Sequence, residues 1–500
     1  MDGFLDLAPI LAILASAVAA VVVPLTGEKR RNLRETWTII AAVVKFSLIA
    51  MMIPGVLAGE RYGMDLLEIA PGIGLSFRVD PAGLLFATSA SFLWILTSFY
   101  AFGYMRGAKE AKQSRFFSML AVCLSATIGL CFSGNILTFV LFYEILSVAT
   151  YPLVIHSGSK KAYEIGRQYL IYALGAGMSL VAGLTAIYAV TGTLEFQPGG
   201  FLDAEMGTGF LWLVFILFAI GFGMKAGVIP LQSWLPNAMI APTPVSALLH
   251  AVAVVKAGVF GFVRLVGYMF GPELFAEIGA ATVLAIFAAV TILVASLIAI
   301  TKDDLKARLA YSTVGHLSYI VLGIAILAPQ AMLGAAFHMI THAAMKITLF
   351  FCAGAIYVHT KKTKVSQLDG IGRQMPLTMA AFGVGAVGLA GVPLVGGFVS
   401  KWYLGVGALD AGLSIYLWVF LLSGLLNAAY LVPIVTRAFL RSSPDHTRFN
   451  EASPLMVVPI AITMLFALLL GIHPDGVFRF FSLAEAIVAS VTGVTFTGGI

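Results

Sequence analysis

Apolar residues fill this chain in long runs, separated at short intervals by polar clusters. Fourteen runs are long enough for a spanning helix, which needs ~20 mostly apolar residues. They lie roughly at 5–26, 36–58, 81–103, 114–133, 136–156, 167–190, 209–231, 245–268, 279–300, 309–328, 332–358, 376–404, 413–436 and 454–473. The run 309–328 departs most from the pattern, because it holds Tyr311, Ser312, Thr313, His316, Ser318 and Tyr319. Between the second and third runs, Leu75-Ser76-Phe77-Arg78-Val79-Asp80 alternates as a short surface hairpin strand would. The tail after His473 is mildly apolar, suited to a membrane surface or to a neighbouring element. The expected fold class is an all-α polytopic membrane protein, a single membrane domain over 1–500 with no long linker.

Composition agrees. Of 500 residues, 60% are hydrophobic and 11% charged, against about 25% charged in soluble domains. The first run has no basic stretch before it, so it reads as a retained helix and not a cleaved signal.

The net charge of +6 would suit nucleic acid only if its placement were ignored. Lys29, Arg30, Arg31 and Arg34 fall in the first gap, Arg106, Lys109, Lys112 and Arg115 in the third, and Lys160, Lys161 and Arg167 in the fifth. Lys302, Lys306 and Arg308 fall in the ninth, Lys361, Lys362, Lys364 and Arg373 in the eleventh, and Arg437, Arg441 and Arg448 in the thirteenth. Even-numbered gaps and the C-terminal tail hold only Arg61, Arg78 and Arg479, so the split is twenty-one against three. Basic loops stay cytoplasmic, which predicts odd loops inside and both termini outside.

Cys123, Cys131 and Cys352 lie within runs and form no C-x-x-C pair. Phosphate-binding glycine loops are missing too. No cofactor, no metal and no redox chemistry of the chain's own are expected.

Away from the chain ends one carboxylate, Glu144, sits inside an apolar run, together with five lysines: Lys45, Lys225, Lys256, Lys346 and Lys401. A charge at the bilayer centre costs at least about 2.5–3.5 kcal/mol, so such residues face protein or water and mark ion paths. Lysine is the cation whose protonation a buried site most readily changes. The bland alternative for Glu144 is a structural carboxylate bonding a neighbouring helix; for Lys225 and Lys256 it is a fixed counter-ion to Glu144. Lys45 and Arg264 sit near run ends and are expected to snorkel, off the main path.

His338, His342 and Lys346 recur at i, i+4 and i+8 and stack on one helix face. A His pair at i, i+4 can ligate zinc, but no Glu follows His338 and no third ligand is near in sequence. His316, with Ser312, Thr313 and Ser318, makes a polar strip suited to water. His250, six residues before Lys256, lies off its face and is expected to line or pack.

Lys225-Ala226-Gly227-Val228-Ile229-Pro230-Leu231 is echoed by Ala390-Gly391-Val392-Pro393-Leu394. Proline inside a span removes a donor and breaks the helix. Helix breaks are therefore expected at Pro230 and at Gly391 and Pro393. Matching breaks accompany inverted repeats, with the ion site at the breaks. The copies fall five spans apart, so they run oppositely, and repeats over 114–268 and 279–436 are expected. Freed carbonyls at the first break would serve the Lys225 ammonium. The run 376–409 is too long for one straight span, and unwinding at Gly391, Pro393, Gly396 and Gly397 would return Lys401 toward the midplane.

Met224 through Ala238, followed by Ala241-Pro242-Thr243-Pro244-Val245-Ser246-Ala247-Leu248-Leu249-His250, resembles the proton-translocating antiporter-like subunits. These occur in respiratory complex I, membrane-bound hydrogenases and Mrp-type sodium/proton antiporters. Phe142-Tyr143-Glu144, the run Ala310 to His316, and His338 through Gly354 match as well, so the resemblance covers about 114–440. It implies fourteen helices in the cell membrane of a bacterium or archaeon, with helices 7 and 12 broken. It implies partner membrane subunits, and transport of protons with sodium or potassium. Onto matching positions it carries a proton relay: Glu144 with Lys225 as regulated pair, Lys256 or His250 as link, Lys346 in the second half, Lys401 at the exit. Lys401 stands where M-type complex I subunits have glutamate, and the chain lacks the C-terminal extension of L-type and Mrp A-type subunits. The Mrp D-type is the expected match, with N-type and hydrogenase subunits as alternatives.

Overall fold

The computed structural model describes residues 2–70, 73–444, 446 and 448–496, excluding the side chains of Asp2, Ala70, Leu249 and His250. In chain order come α1 (Asp2–Thr26), α2 (Arg31–Leu57), β1 (Tyr62–Ala70), β2 (Ile73–Val79), α3 (Pro81–Gly107), α4 (Gln113–Cys131), α5 (Ile136–Val154), α6 (Lys160–Thr191) and α7 (Thr208–Ala226). Then follow α8 (Trp234–Asn237), α9 (Thr243–Ala251), α10 (Val254–Arg264), α11 (Pro272–Glu277), α12 (Ala280–Thr301), α13 (Leu305–Ala325) and α14 (Pro329–Thr360). The last are α15 (Ile371–Gln374), α16 (Pro376–Ala390), α17 (Gly396–Asp410), α18 (Ser414–Leu440), α19 (Pro454–Ile472) and α20 (Phe480–Thr492).

Among the described residues, eleven helices are long and apolar enough to cross a membrane: α1 to α7, α12, α14, α18 and α19. The other three expected runs have particular reasons for falling short. The polar strip dilutes α13. The run 245–268 is split at Val252–Ala253 into α9 and α10, followed by a π turn over Leu265–Phe270. The run 376–404 is split into α16 and α17.

Local chemistry sets the helix starts. Asp80 caps α3 by accepting from Gly83 N at 2.7 Å, with Pro81 in the first turn. Asn135 caps α5 through Thr138 N at 2.8 Å, and Asp304 caps α13 through Ala307 N at 2.8 Å. The expected strand is β2, paired antiparallel with β1 from Tyr62↔Val79 to Ala70↔Ile73.

At the centre stands α14, buried without exception from Ala331 to Ile356. It packs against α3, α9, α13, α16, α17, α19 and α20. A helix apolar all round belongs in such a position; here it carries His338, His342 and Lys346 inside. Around it, side chains such as Val18, Ile171, Met178, Phe287, Trp418 and Leu425 are exposed, as a surface facing hydrocarbon requires. The tail folds back as α20 against α3 and α14, with Phe478 against Phe46 of α2.

Candidate functional site

Of the five intramembrane lysines, Lys225, Lys256, Lys346 and Lys401 each have a hydrogen-bond acceptor, and Lys45 has none among the described residues. Burying an ion costs several kcal/mol even after relaxation, so the acceptors explain how the four lysines are held.

Lys225 lies in the last turn of α7, beyond which Gly227 turns left-handed at φ +69° and Trp234 Nε1 closes the break onto Met224 O at 2.7 Å. Its ammonium does not use carbonyls of its own break. It donates to Tyr143 O at 2.6 Å and lies 3.4 Å from the Tyr143 ring centroid, a cation–π contact. The Tyr143 hydroxyl donates to Gly221 O at 2.7 Å, which ties α5 to α7 and holds that carbonyl in place. Glu144 follows at once. Its Oε1 is buried with no hydrogen-bond partner among the described residues, and its carboxyl packs on Gly177 of α6, where a Cβ would come within 2.6 Å. Among the described residues, no hydrogen bond joins Glu144 to Lys225; one peptide unit separates their anchor points.

Lys256, in the first turn of α10, pairs with α14 and not with Glu144. Its Nζ lies 2.6 Å from His342 Nδ1. Two cations would leave no lone pair between them, so Lys256 and His342 carry at most one positive charge between them. His342 Nε2 is buried without a partner among the described residues. The His316 and His342 rings stack with centroids 5.4 Å apart. His250 lies among the residues whose side chains are not described.

The second half is a directed chain of hydrogen bonds. Lys346 donates to Ser312 Oγ at 2.7 Å, and Ser312 Oγ lies 2.8 Å from the Tyr430 hydroxyl, which donates to Asn427 Oδ1. That bond, with Asn427 Nδ2 donating to Leu389 O at 3.2 Å, fixes the amide orientation. Nδ2 also faces His316 Nε2 at 3.1 Å, and an amide nitrogen only donates. Neutral His316 therefore keeps its proton on Nδ1, 3.1 Å from His338 Nε2, and His338 Nδ1 meets Ser400 Oγ at 2.8 Å. Ser400 passes the bond to Gly397 O at 3.2 Å and touches Thr341 Oγ1 at 3.2 Å. Hydroxyls and imidazoles hand protons on. The Asn427 amide does not, so it divides the chain into a Lys346 side and a histidine side while setting the polarity of both.

Lys401 stands beside Ser400 on α17. Gly391 ends α16 at φ +99°, Pro393 sits in the turn, and Lys401 Nζ reaches back to Leu389 O at 2.5 Å and Ala390 O at 3.2 Å. The use of freed carbonyls expected at the first break is found at the second. Leu389 O thus accepts from both Lys401 and Asn427.

Two expectations are corrected. Lys45 does not snorkel: α2 starts at Arg31, so Lys45 lies about 21 Å along the helix at 1.5 Å per residue. It is fully buried, 4.8 Å from the Trp94 ring centroid. Arg264 does not reach solvent either. The π turn folds over it, and it pairs with Asp80 while Phe196, Phe260 and Tyr268 surround the guanidinium.

Sequence reasoning missed Tyr143 as an acceptor, and Asn427, Tyr430, Ser400 and Thr341 altogether. Tyr430 and Asn427 are i, i+3 on one face of α18, a signal too common among neutral polar residues to single them out.

The family described as NADH:quinone oxidoreductase/Mrp antiporter, TM matches residues 133–427. NADH-quinone oxidoreductase subunit N of Desulforudis audaxviator (strain MP104C) is 31% identical over 433 residues, 83% of this chain and 86% of that protein. A probable K(+)/H(+) antiporter subunit of Rhizobium meliloti (strain 1021) is 31% identical over 453 residues, 87% of this chain; the chain spans 44% of its length. A chain in the structure of the Mrp complex from Dietzia sp. DQ12-45-1b shares the fold, with a TM-score of 0.83 at 22% identity over 98% of this chain and 97% of that one. With more than half its length matched, and a full-length relative at this identity, the chain belongs to the NADH:quinone oxidoreductase/Mrp antiporter family of membrane subunits.

Proposed function

We propose that this chain is the proton-conducting, D-type subunit of a multisubunit cation/proton antiporter in a bacterial or archaeal cell membrane, both termini outside. Protons load the central lysines and leave at the Lys401 end. Glu144 with Lys225 is the regulated pair, Lys256 with His342 the link, and Lys346, His316 and His338 the second half. The two halves are inverted repeats over 114–268 and 279–436, with sodium or potassium as the counter-transported ion. The observation that carries this reading is the pair of enclosed hydrogen-bonded segments that meet at the Asn427 amide, Lys346 with Ser312 and Tyr430 on one side and His316 with His338 and Ser400 on the other, each with a defined direction. Packing alone does not call for titratable groups in such an order. Glu144→Gln and Lys225→Ala should abolish cation/proton exchange in everted vesicles while the complex still assembles. Normal exchange in both would end the proposal; failed assembly with no selective transport defect would favour a structural scaffold.

A second reading is a proton-pumping subunit of a redox-driven complex related to complex I or membrane-bound hydrogenases. It is favoured by the 31% identity to an NADH-quinone oxidoreductase subunit N across 86% of that protein. Purification in mild detergent separates the two: small antiporter subunits support the first reading, iron–sulfur and quinone-site subunits the second.

A further inference from the structure

The hydrocarbon-facing side of α1 and α2 is concave. Between them runs a groove of about 460 Å³ walled by Leu11, Val18 and Val22 on one side and Trp37, Ile40 and Leu48 on the other. From Val22 to Leu11 it is about 16 Å long at 1.5 Å per residue. Small side chains, Ala15, Ala19 and Ala41, make its floor. The turn that joins α1 to α2, past the Val22 and Trp37 end of the groove, carries Lys29 and Arg30, both exposed.

Glu28 is engaged by Arg34 at 3.2 Å and by Ser114 N at 2.8 Å, and Glu35 pairs with Arg106. Among the described residues no carboxylate pairs with Lys29, Arg30 or Arg31. Trp37, at the mouth, is an interfacial side chain. An apolar slot with uncompensated basic residues at its open end complements an amphiphile with a hydrocarbon tail and an anionic head. A partner helix would fill the slot but leave the charges unmatched.

We propose that the α1–α2 groove binds one acidic phospholipid, its acyl chain along Leu11–Val22 and its phosphate at Lys29 and Arg30. This site is independent of the proton relay. It is tested by native mass spectrometry of the full chain in its complex, equilibrated in mild detergent with equal phosphatidylglycerol and phosphatidylcholine. The wild type should retain phosphatidylglycerol preferentially. Lys29→Gln and Arg30→Gln should each reduce that preference about fivefold. Ala15→Phe, with the charges intact, should lose the bound lipid. Equal retention of both lipids by the wild type would overturn the proposal. So would an unchanged preference in the double Lys29→Gln/Arg30→Gln variant, or an Ala15→Cys crosslink to a helix of another subunit.

Discussion

The Lys225 ammonium rests on the backbone carbonyl of Tyr143, 2.6 Å away, and not on the carboxylate of the next residue, Glu144. The pair is thus set up with the lysine parked one peptide unit from the acid. A proton-loading role needs an amine that can lose its proton, whereas a counter-ion role needs only charge. Lys225→Arg keeps the charge but is always protonated. It should leave the complex assembled and reduce exchange to the level of Lys225→Ala in everted vesicles. Retained exchange would make Lys225 a counter-ion.

Gly177 bears on the acid. A methyl group there would meet the Glu144 carboxyl at 2.6 Å, below any ordinary contact. Gly177→Ala is otherwise favourable in a helix, by up to about 1 kcal/mol. The variant should therefore be as stable as the wild type, or more so, and yet impaired in transport. Thermal unfolding and vesicle exchange measured on the same preparation would reveal that opposition.

Tyr430→Phe removes the hydroxyl joining Ser312 to Asn427 and frees the Asn427 amide to turn. Leaving buried partners unpaired costs about 1–3 kcal/mol. More informative is the pH profile of exchange, which should change shape because the polarity at His316 is no longer fixed. Lower stability with an unaltered profile would make Tyr430 purely structural.

Asp80→Asn keeps the cap on α3, since asparagine caps as well as aspartate, but strips the buried Arg264 of its counter-charge. Breaking a buried pair from one side costs about 3–5 kcal/mol. Unfolding should move down sharply in detergent, and Asp80→Asn/Arg264→Met should recover much of the loss.

In the loop between α3 and α4, burial raises the Glu110 carboxyl above its usual value, with Lys306 and Lys361 pulling it back. A proton held more tightly by the folded protein gives stability that is complete below the unfolded value of 4.5 and is lost as pH rises through the raised one. Glu110→Gln removes that loss. Its advantage in melting temperature over wild type should be smallest near about pH 5 and grow toward about pH 8; a flat difference would contradict the assignment.

Much of this was readable from the chain alone. Charges in oil are conspicuous, so Glu144 and the lysines announced themselves, and the spacing of His338, His342 and Lys346 put them on one helix. Less visible was what each one touches. Asn427 meets His316 across 111 residues and Lys256 meets His342 across 86, and no local pattern encodes such pairings. Lys45 and Arg264 were misjudged because distance to a run's end ignores where a helix starts and what folds over it.

At the second break, the oxygen of Leu389 would in an unbroken helix belong to the amide hydrogen four residues on, but that residue is Pro393, which has none. A ring closed onto nitrogen thus creates an ownerless oxygen, and Lys401, eight residues further, claims it. The first break leaves the matching oxygen, that of Ala226 four before Pro230, unclaimed by Lys225, so the two proline breaks of this chain seat their lysines by different means.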